Sequence, residues 1–163
     1  MIKRKPFTQV FYLAALLLFS GYHVNAQKEA EVDWLSFEQL DDSLNRHPKK
    51  VFIDFYTSWC TYCRKMDKLV FTKPEIIKLL NQDYYAVRMN AESTDTIQFE
   101  GQSFLNLQAG KKRGAIHQLA ELLAQRDGKF TPPTMVILDP EFKVQQRYFE
   151  YLDSGKLLRA LQD

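Results

Sequence analysis

The stretch Val51-Phe52-Ile53-Asp54-Phe55-Tyr56-Thr57-Ser58-Trp59-Cys60-Thr61-Tyr62-Cys63-Arg64 holds both cysteines of the chain, three positions apart and directly after an apolar run. With Lys50 in front, residues 50–56 read as a short strand buried on both faces, since the run is nearly continuous rather than alternating. Thr57-Ser58-Trp59 is the turn out of it, and a helical pattern carrying Met66, Leu69 and Val70 follows. Cys60 and Cys63 therefore fall where a strand hands over to a helix. Residues three apart on a first turn lie one above the other, so their sulfurs bond or separate with little backbone movement. The unpaired N–H groups and dipole of a helix N-terminus favour a thiolate, lowering a thiol pKa from about 8.5 towards about 3.5–7.5. Cys60 is then the candidate nucleophile on a disulfide. Cys63, one turn deeper, resolves the mixed disulfide.

Two other uses of the pair are weaker. A zinc site takes about four ligands, and beyond residue 26 the chain offers only these cysteines, His47 and His117, with no second CxxC. No metal is expected. A purely structural bridge across so short a loop would constrain little of the unfolded chain.

Working outward, Trp34, Phe37, Leu40 and Leu44 recur at helical spacing, which predicts a helix from Asp33 to Asn45, ended by His47-Pro48. Pro74 breaks the helix behind the cysteines, and a second helical run occupies residues 75–81. Residues 84–90 read as another interior strand. Residues 91–114 are less regular, with a hairpin of 96–99 and 102–105 around Glu100-Gly101. Gly110-Lys111-Lys112-Arg113-Gly114 reads as a solvated basic turn. A helix over 116–125, strands over 134–138 and 143–148, and a closing helix over 154–161 with Ser154 as its N-cap complete the chain. Strands interleaved with helices and then a hairpin imply an α/β fold with a mixed sheet covered on both faces.

The 163 residues amount to one domain, and 45% apolar with 26% charged residues is ordinary globular composition. Before it comes a leader pattern: Met1-Ile2-Lys3-Arg4-Lys5, an apolar run from Val10 to Phe19, then Val24-Asn25-Ala26. A basic start, a short apolar run and small residues are the parts of a secretory signal peptide. The run is half of the roughly 20 residues a bilayer span needs. We therefore expect a signal peptide over 1–26, a domain over 27–163, no membrane anchor after cleavage, and a periplasmic or secreted location. No cysteine near the junction could carry a lipid. Lys3, Arg4 and Lys5 are the only charges before residue 27, so the formal +2 becomes −1 in the mature chain. That balance gives no reason to bind nucleic acid.

The quoted stretch resembles the active-site strand and helix of the thioredoxin superfamily. It matches in the apolar strand, in the acid Asp54 six residues before the first cysteine, in Trp59 and in the basic Arg64 after the second. Pro132-Pro133-Thr134 before an apolar strand resembles that family's cis-proline loop. Residues 66–81 look most like the secreted bacterial branch related to the C-terminal domain of periplasmic thiol:disulfide interchange proteins. The resemblance spans about 33–163 apart from 91–114, and it implies a thioredoxin-like fold with a central four-stranded sheet.

It also implies roles. Asp54, buried with a raised pKa, takes the proton of Cys63. Trp59 forms part of the substrate surface, and Pro133 is the cis-proline that shapes the peptide groove, with Pro132 before it. Arg88 falls where the family often sets a basic residue facing the acid. The chain departs from the pattern twice. Pro132 has no N–H to donate to a bound peptide, and Thr61-Tyr62 replaces the commoner Gly-Pro and Pro-His pairs. The dipeptide points towards the reducing end of a range of about −270 to −120 mV. The implied activity is thiol:disulfide exchange with protein disulfide or dithiol substrates, without a cofactor, fed by a membrane-bound electron donor. The alternatives are a thioredoxin-fold binding module with non-catalytic cysteines, or a disulfide oxidase or isomerase.

Overall fold

Lys50–Tyr56 is β1, and its five residues Val51 to Phe55 are all buried, as a strand with apolar side chains on both faces must be. The computed structural model describes residues 31–163; the expected signal peptide lies outside them. In chain order the other elements are α1 (Phe37–Arg46), α2 (Thr61–Leu69), α3 (Pro74–Asp83), β2 (Tyr84–Asn90), β3 (Ile97–Phe99) and β4 (Gln102–Phe104). They continue as α4 (Gln118–Ala124), β5 (Gln125–Arg126), β6 (Lys129–Phe130), β7 (Thr134–Leu138), β8 (Val144–Tyr148) and α5 (Ser154–Gln162).

The main sheet has the order β2-β1-β7-β8. β1 runs parallel to β2 and antiparallel to β7, and β8 pairs antiparallel with β7. This is the mixed four-stranded sheet expected from the sequence. Alternation along β1 splits the core in two. Phe52 packs with Met66, Phe71, Ile76, Leu80 and Leu157, on the face covered by α2, α3 and α5. Val51, Ile53 and Phe55 pack with Phe37, Leu40, Leu119 and Ala124, on the face covered by α1 and α4. Asp54 shares the Phe52 side by the same alternation.

Several boundaries differ from the expected ones, each for a local reason. The first helix starts at Phe37, not Asp33, because Ser36 and Gln39 form a reciprocal capping box. Leu35 instead stays extended and pairs with Val87 on the outer edge of β2, while Trp34 packs edge-on against Phe71 at 5.0 Å. Pro74 takes the first turn of α3, where a missing N–H costs nothing. The N-cap of α5 is Asp153, whose carboxylate accepts Lys156 N–H at 2.8 Å, and not Ser154. α4 begins two residues later than expected because His117 caps it through Nδ1, accepting Leu119 N–H at 3.2 Å.

The 91–114 hairpin is present as β3–β4, turning at Glu100 and Gly101 with φ of 49° and 70°. It docks on α1: Phe99 meets Phe37 edge-on at 5.4 Å, and Glu38 and Asp41 accept backbone N–H groups of Gln98 and Glu100. His117 and Asn106 hold the rest of the insertion. His117 is fully buried, with Nε2 3.2 Å from the Asp95 carbonyl. Asn106 donates to the carbonyls of Ser93 and Ala115. The short β5–β6 hairpin was not anticipated, although Asp127-Gly128 at its turn is a strong hairpin signal.

Candidate active site

Parallel pairing sets Tyr56 of β1 beside Asn90 of β2, and antiparallel pairing sets Phe55 beside Thr134 of β7. One end of the sheet therefore gathers three chain segments: the turn after β1, the start of the insertion after β2, and the loop before β7. Carrying the β1–β7 register one residue further puts Pro133 opposite Tyr56. The segments that carry the cysteines, Glu92 and the prolines all leave the sheet at this end.

Cys60 leaves the turn through a hydrogen bond from its N–H to the Thr57 carbonyl, 3.1 Å, and is itself the N-cap of α2. Its Sγ accepts the Cys63 N–H at 3.0 Å, as a serine or aspartate cap would. Cys60 and Cys63 are disulfide-bonded, with S–S 2.09 Å and Cα–Cα 5.3 Å. Burial does not rank the two sulfurs as the sequence led us to expect, since Cys60 is 4% and Cys63 3% exposed. Helix position separates them: Cys60 caps the helix and Cys63 is its third residue. Arg64 braces the loop from behind, donating to the Ser58 carbonyl at 2.9 Å and to Thr61 Oγ1 at 3.2 Å.

The surroundings of the pair are aromatic and open. Trp59 is 61% exposed, so it is no core residue, and its Nε1–H donates to Glu92 Oε1 at 3.0 Å. Tyr62 is 59% exposed and leans on Tyr151, with ring centroids 5.9 Å apart. Lys65 caps the Tyr151 ring at 4.7 Å. The Pro132–Pro133 bond is cis, with Pro133 buried and Pro132 half-buried. Thr134 Oγ1 donates to the Thr131 carbonyl at 2.8 Å and fixes this loop.

Asp54 is 2% exposed. Opposite it in register is Arg88, whose Nε lies 3.2 Å from Asp54 Oδ2. The pair attracts by charge, but the Nε–H is not directed at that oxygen. Arg88 continues to Asp67 on α2, with Nη2 2.5 Å from Oδ1, and its guanidinium stacks over Tyr56 at 4.6 Å. Arg88 thus joins the buried acid to the helix that carries the cysteines. Burial pushes the Asp54 carboxyl up to about 7; the Arg88 charge pulls it down and Asp67 adds to the rise. A carboxylate poised there can exchange a proton near neutral pH.

Sequence reasoning missed Asp67 and Glu92. Asp67 sits one turn beyond Cys63 on an amphipathic helix, where an acid reads as solvated. Glu92 opens the irregular insertion. Nothing in either local pattern marks a partner. His117 is otherwise employed, capping α4 through its ring, and His47 is exposed at the end of α1.

Residues 37–163 match the family model described as a thioredoxin-like domain. Among curated proteins, the thiol:disulfide interchange protein DsbD of Campylobacter jejuni (strain RM1221) is 28% identical over 86 residues. That match takes in 52% of this chain but only 15% of the relative's length. A thioredoxin from Thermus thermophilus superposes with a TM-score of 0.58 at 20% identity, over 81% of this chain and 85% of that one. The oxidised C-terminal domain of Neisseria meningitidis DsbD superposes with a TM-score of 0.51 at 20% identity, over 77% and 89%. At such identities both structures speak to the fold.

Proposed function

The chain belongs to the thioredoxin-like family, and we propose that it is an exported thiol:disulfide oxidoreductase that reduces disulfides in other proteins. The observation that carries this reading is the Cys60 sulfur. It caps α2, accepts the Cys63 N–H, bonds to Cys63 and follows β1 at the end of the sheet where the Pro132–Pro133 loop enters β7.

In the reduced protein the Cys60 thiolate attacks one sulfur of a substrate disulfide. A bond forms between Cys60 and that sulfur, and the other substrate sulfur leaves as a thiolate and takes up a proton. Asp54 accepts the proton of Cys63. The Cys63 thiolate then attacks Cys60 Sγ, closing the Cys60–Cys63 bond and releasing the second substrate thiol. Two electrons and two protons pass to the substrate. A dithiol donor at the membrane returns them to the cysteine pair by the same steps reversed. Trp59, Pro132 and Pro133 frame the groove in which the substrate lies.

The place of Cys60 as the N-cap of α2 favours the thiolate. Thr61-Tyr62 supplies neither proline nor imidazolium between the cysteines, which supports the reducing direction. The basic start and short apolar run of residues 1–26 support export.

The test is turnover. Purified protein, dithiothreitol and a disulfide-bridged peptide should give thiol release well above the uncatalysed rate, and the Cys60→Ser variant should give none. Full turnover by that variant would refute the reading. N-terminal sequencing of the exported protein should begin at Gln27.

A further inference from the structure

The loop Gly110-Lys111-Lys112-Arg113-Gly114 reads in sequence as a solvated turn, and its side chains are exposed. Its position gives it more to do. A Cβ added at Gly114 would stand 3.5 Å from Glu92 Oε1, the same oxygen that accepts the Trp59 indole N–H. The end of the loop therefore abuts the residue beside Cys60. Between this loop and the β5–β6 hairpin lies a cavity of about 330 Å³, lined by Lys112 and Gly114 on one side and Lys129 and Thr131 on the other. Thr131 immediately precedes the cis pair Pro132–Pro133. The cavity is thus bounded by continuations of the two segments that frame the redox site.

Its charge is distinct from that of the rest of the domain. Residues 108–131 hold five basic and two acidic side chains, a net +3, whereas the remainder of residues 31–163 is net −4. Among the described residues, no carboxylate lies within salt-bridge distance of Lys111, Lys112, Arg113 or Lys129. Arg126, the fifth cation, is occupied over the Phe149 ring at 5.1 Å. Glu121 is the carboxylate among the cavity's lining residues, and Glu92 is engaged by Trp59. A cluster of unpaired cations around a concave surface concentrates negative groups there and speeds their arrival.

We propose that this cavity and its basic rim dock an acidic segment of the protein whose disulfide is exchanged at Cys60–Cys63, a proposal that rests on the exchange activity above. The segment lies between the Lys112 and Lys129 sides and leads past Thr131 towards the sulfurs. Pro132 offers a bound peptide no N–H, so main-chain pairing at the groove is weakened and charge beside it takes a larger share in recognition. The same cations disfavour basic segments, which makes the subsite selective as well as attractive.

The test is single-turnover reduction by the pre-reduced protein of two peptides. Each carries one cysteine as a mixed disulfide with glutathione; one has glutamates around that cysteine and the other serines at the same positions. The readout is the ratio of the two rate constants. At low ionic strength the glutamate peptide should react about tenfold faster, and the ratio should fall towards one as salt screens the charges. In the variant combining Lys111→Glu, Lys112→Glu, Arg113→Glu and Lys129→Glu the ratio should invert. If that variant does not fold, Lys112→Gln and Lys129→Gln should each lower the ratio part of the way. A ratio near one in the wild type, or one that these changes leave alone, overturns the subsite. A wild type that reduces neither peptide overturns the exchange reading and the subsite with it, and the inert serine peptide tells that failure apart.

Discussion

Replacing Asp54 with Asn should stabilise the oxidised protein increasingly as pH rises from about 4 to about 7, with the full effect above neutral pH. The carboxyl is 2% exposed, and burial raises its pKa from 3.8 to about 7, with Asp67 adding to the rise and Arg88 opposing it. Between those values the folded state holds a proton that the unfolded chain has released. Wild-type stability therefore falls as pH rises through that window and levels off above about 7. Each unit of pKa separation is worth about 1.4 kcal/mol. From about pH 5 to about pH 8.5 the wild type should lose roughly 3 kcal/mol through this one group. The Asp54→Asn variant keeps the size and polarity of the side chain without its charge, so it should lose none of this. The assay is urea denaturation with the Cys60–Cys63 bridge intact, so that no thiol titrates. His117, whose pKa burial lowers, titrates in both proteins and cancels in the difference. The two should converge only below about pH 4; the variant should lead by about 1.6 kcal/mol at the lower pH and by roughly a further 3 kcal/mol at the higher. An identical pH dependence in both would refute the buried, proton-holding Asp54.

The ion chain around that acid can be tested from either end. Arg88→Met should raise the Asp54 pKa above its present value of about 7, and Asp67→Asn should lower it, as read from the carboxyl carbon by NMR titration. His117→Ala removes the cap on Leu119 N–H and the partner of the Asp95 carbonyl; it should cost roughly 2–3 kcal/mol in urea denaturation. Pro132→Ala restores one backbone N–H at the groove and should lower the KM for a disulfide peptide about fivefold, the worth of one net hydrogen bond.

Much of the fold was legible because the strands are buried on both faces. Residues 50–56, 84–90 and 134–138 are dense apolar runs, and each became a strand within a residue of its expected bounds. The hairpin at Glu100-Gly101 could be read because alternation and a glycine coincide there. Helix starts were less legible. A periodic pattern runs on into Trp34 and Ile116, whereas the backbone obeys the caps Ser36 and His117. A histidine is an unusual cap, and the buried ring is held from its other side by the Asp95 carbonyl, which no local pattern reveals.

At the site, the cysteines, the buried acid and the prolines lie in two short motifs, so the sequence could put names to them. It could not say that Arg88 faces Asp54, because that depends on the register of two strands more than thirty residues apart. Asp67 and Glu92 were invisible for the same reason: their partners, Arg88 and Trp59, arrive from elsewhere in the chain. The basic loop also gains its meaning from packing, through Glu92 and the cavity that reaches Thr131.

The division of labour between the two sulfurs is tested most directly by mass spectrometry of single-cysteine variants mixed with oxidised glutathione near neutral pH. Reduced Cys63→Ser should gather a lasting glutathione adduct on Cys60 quickly, while Cys60→Ser gathers one on Cys63 far more slowly and the wild type closes its own bridge instead. Equal rates of adduct formation on the two variants, or a faster one on Cys63, would contradict the account.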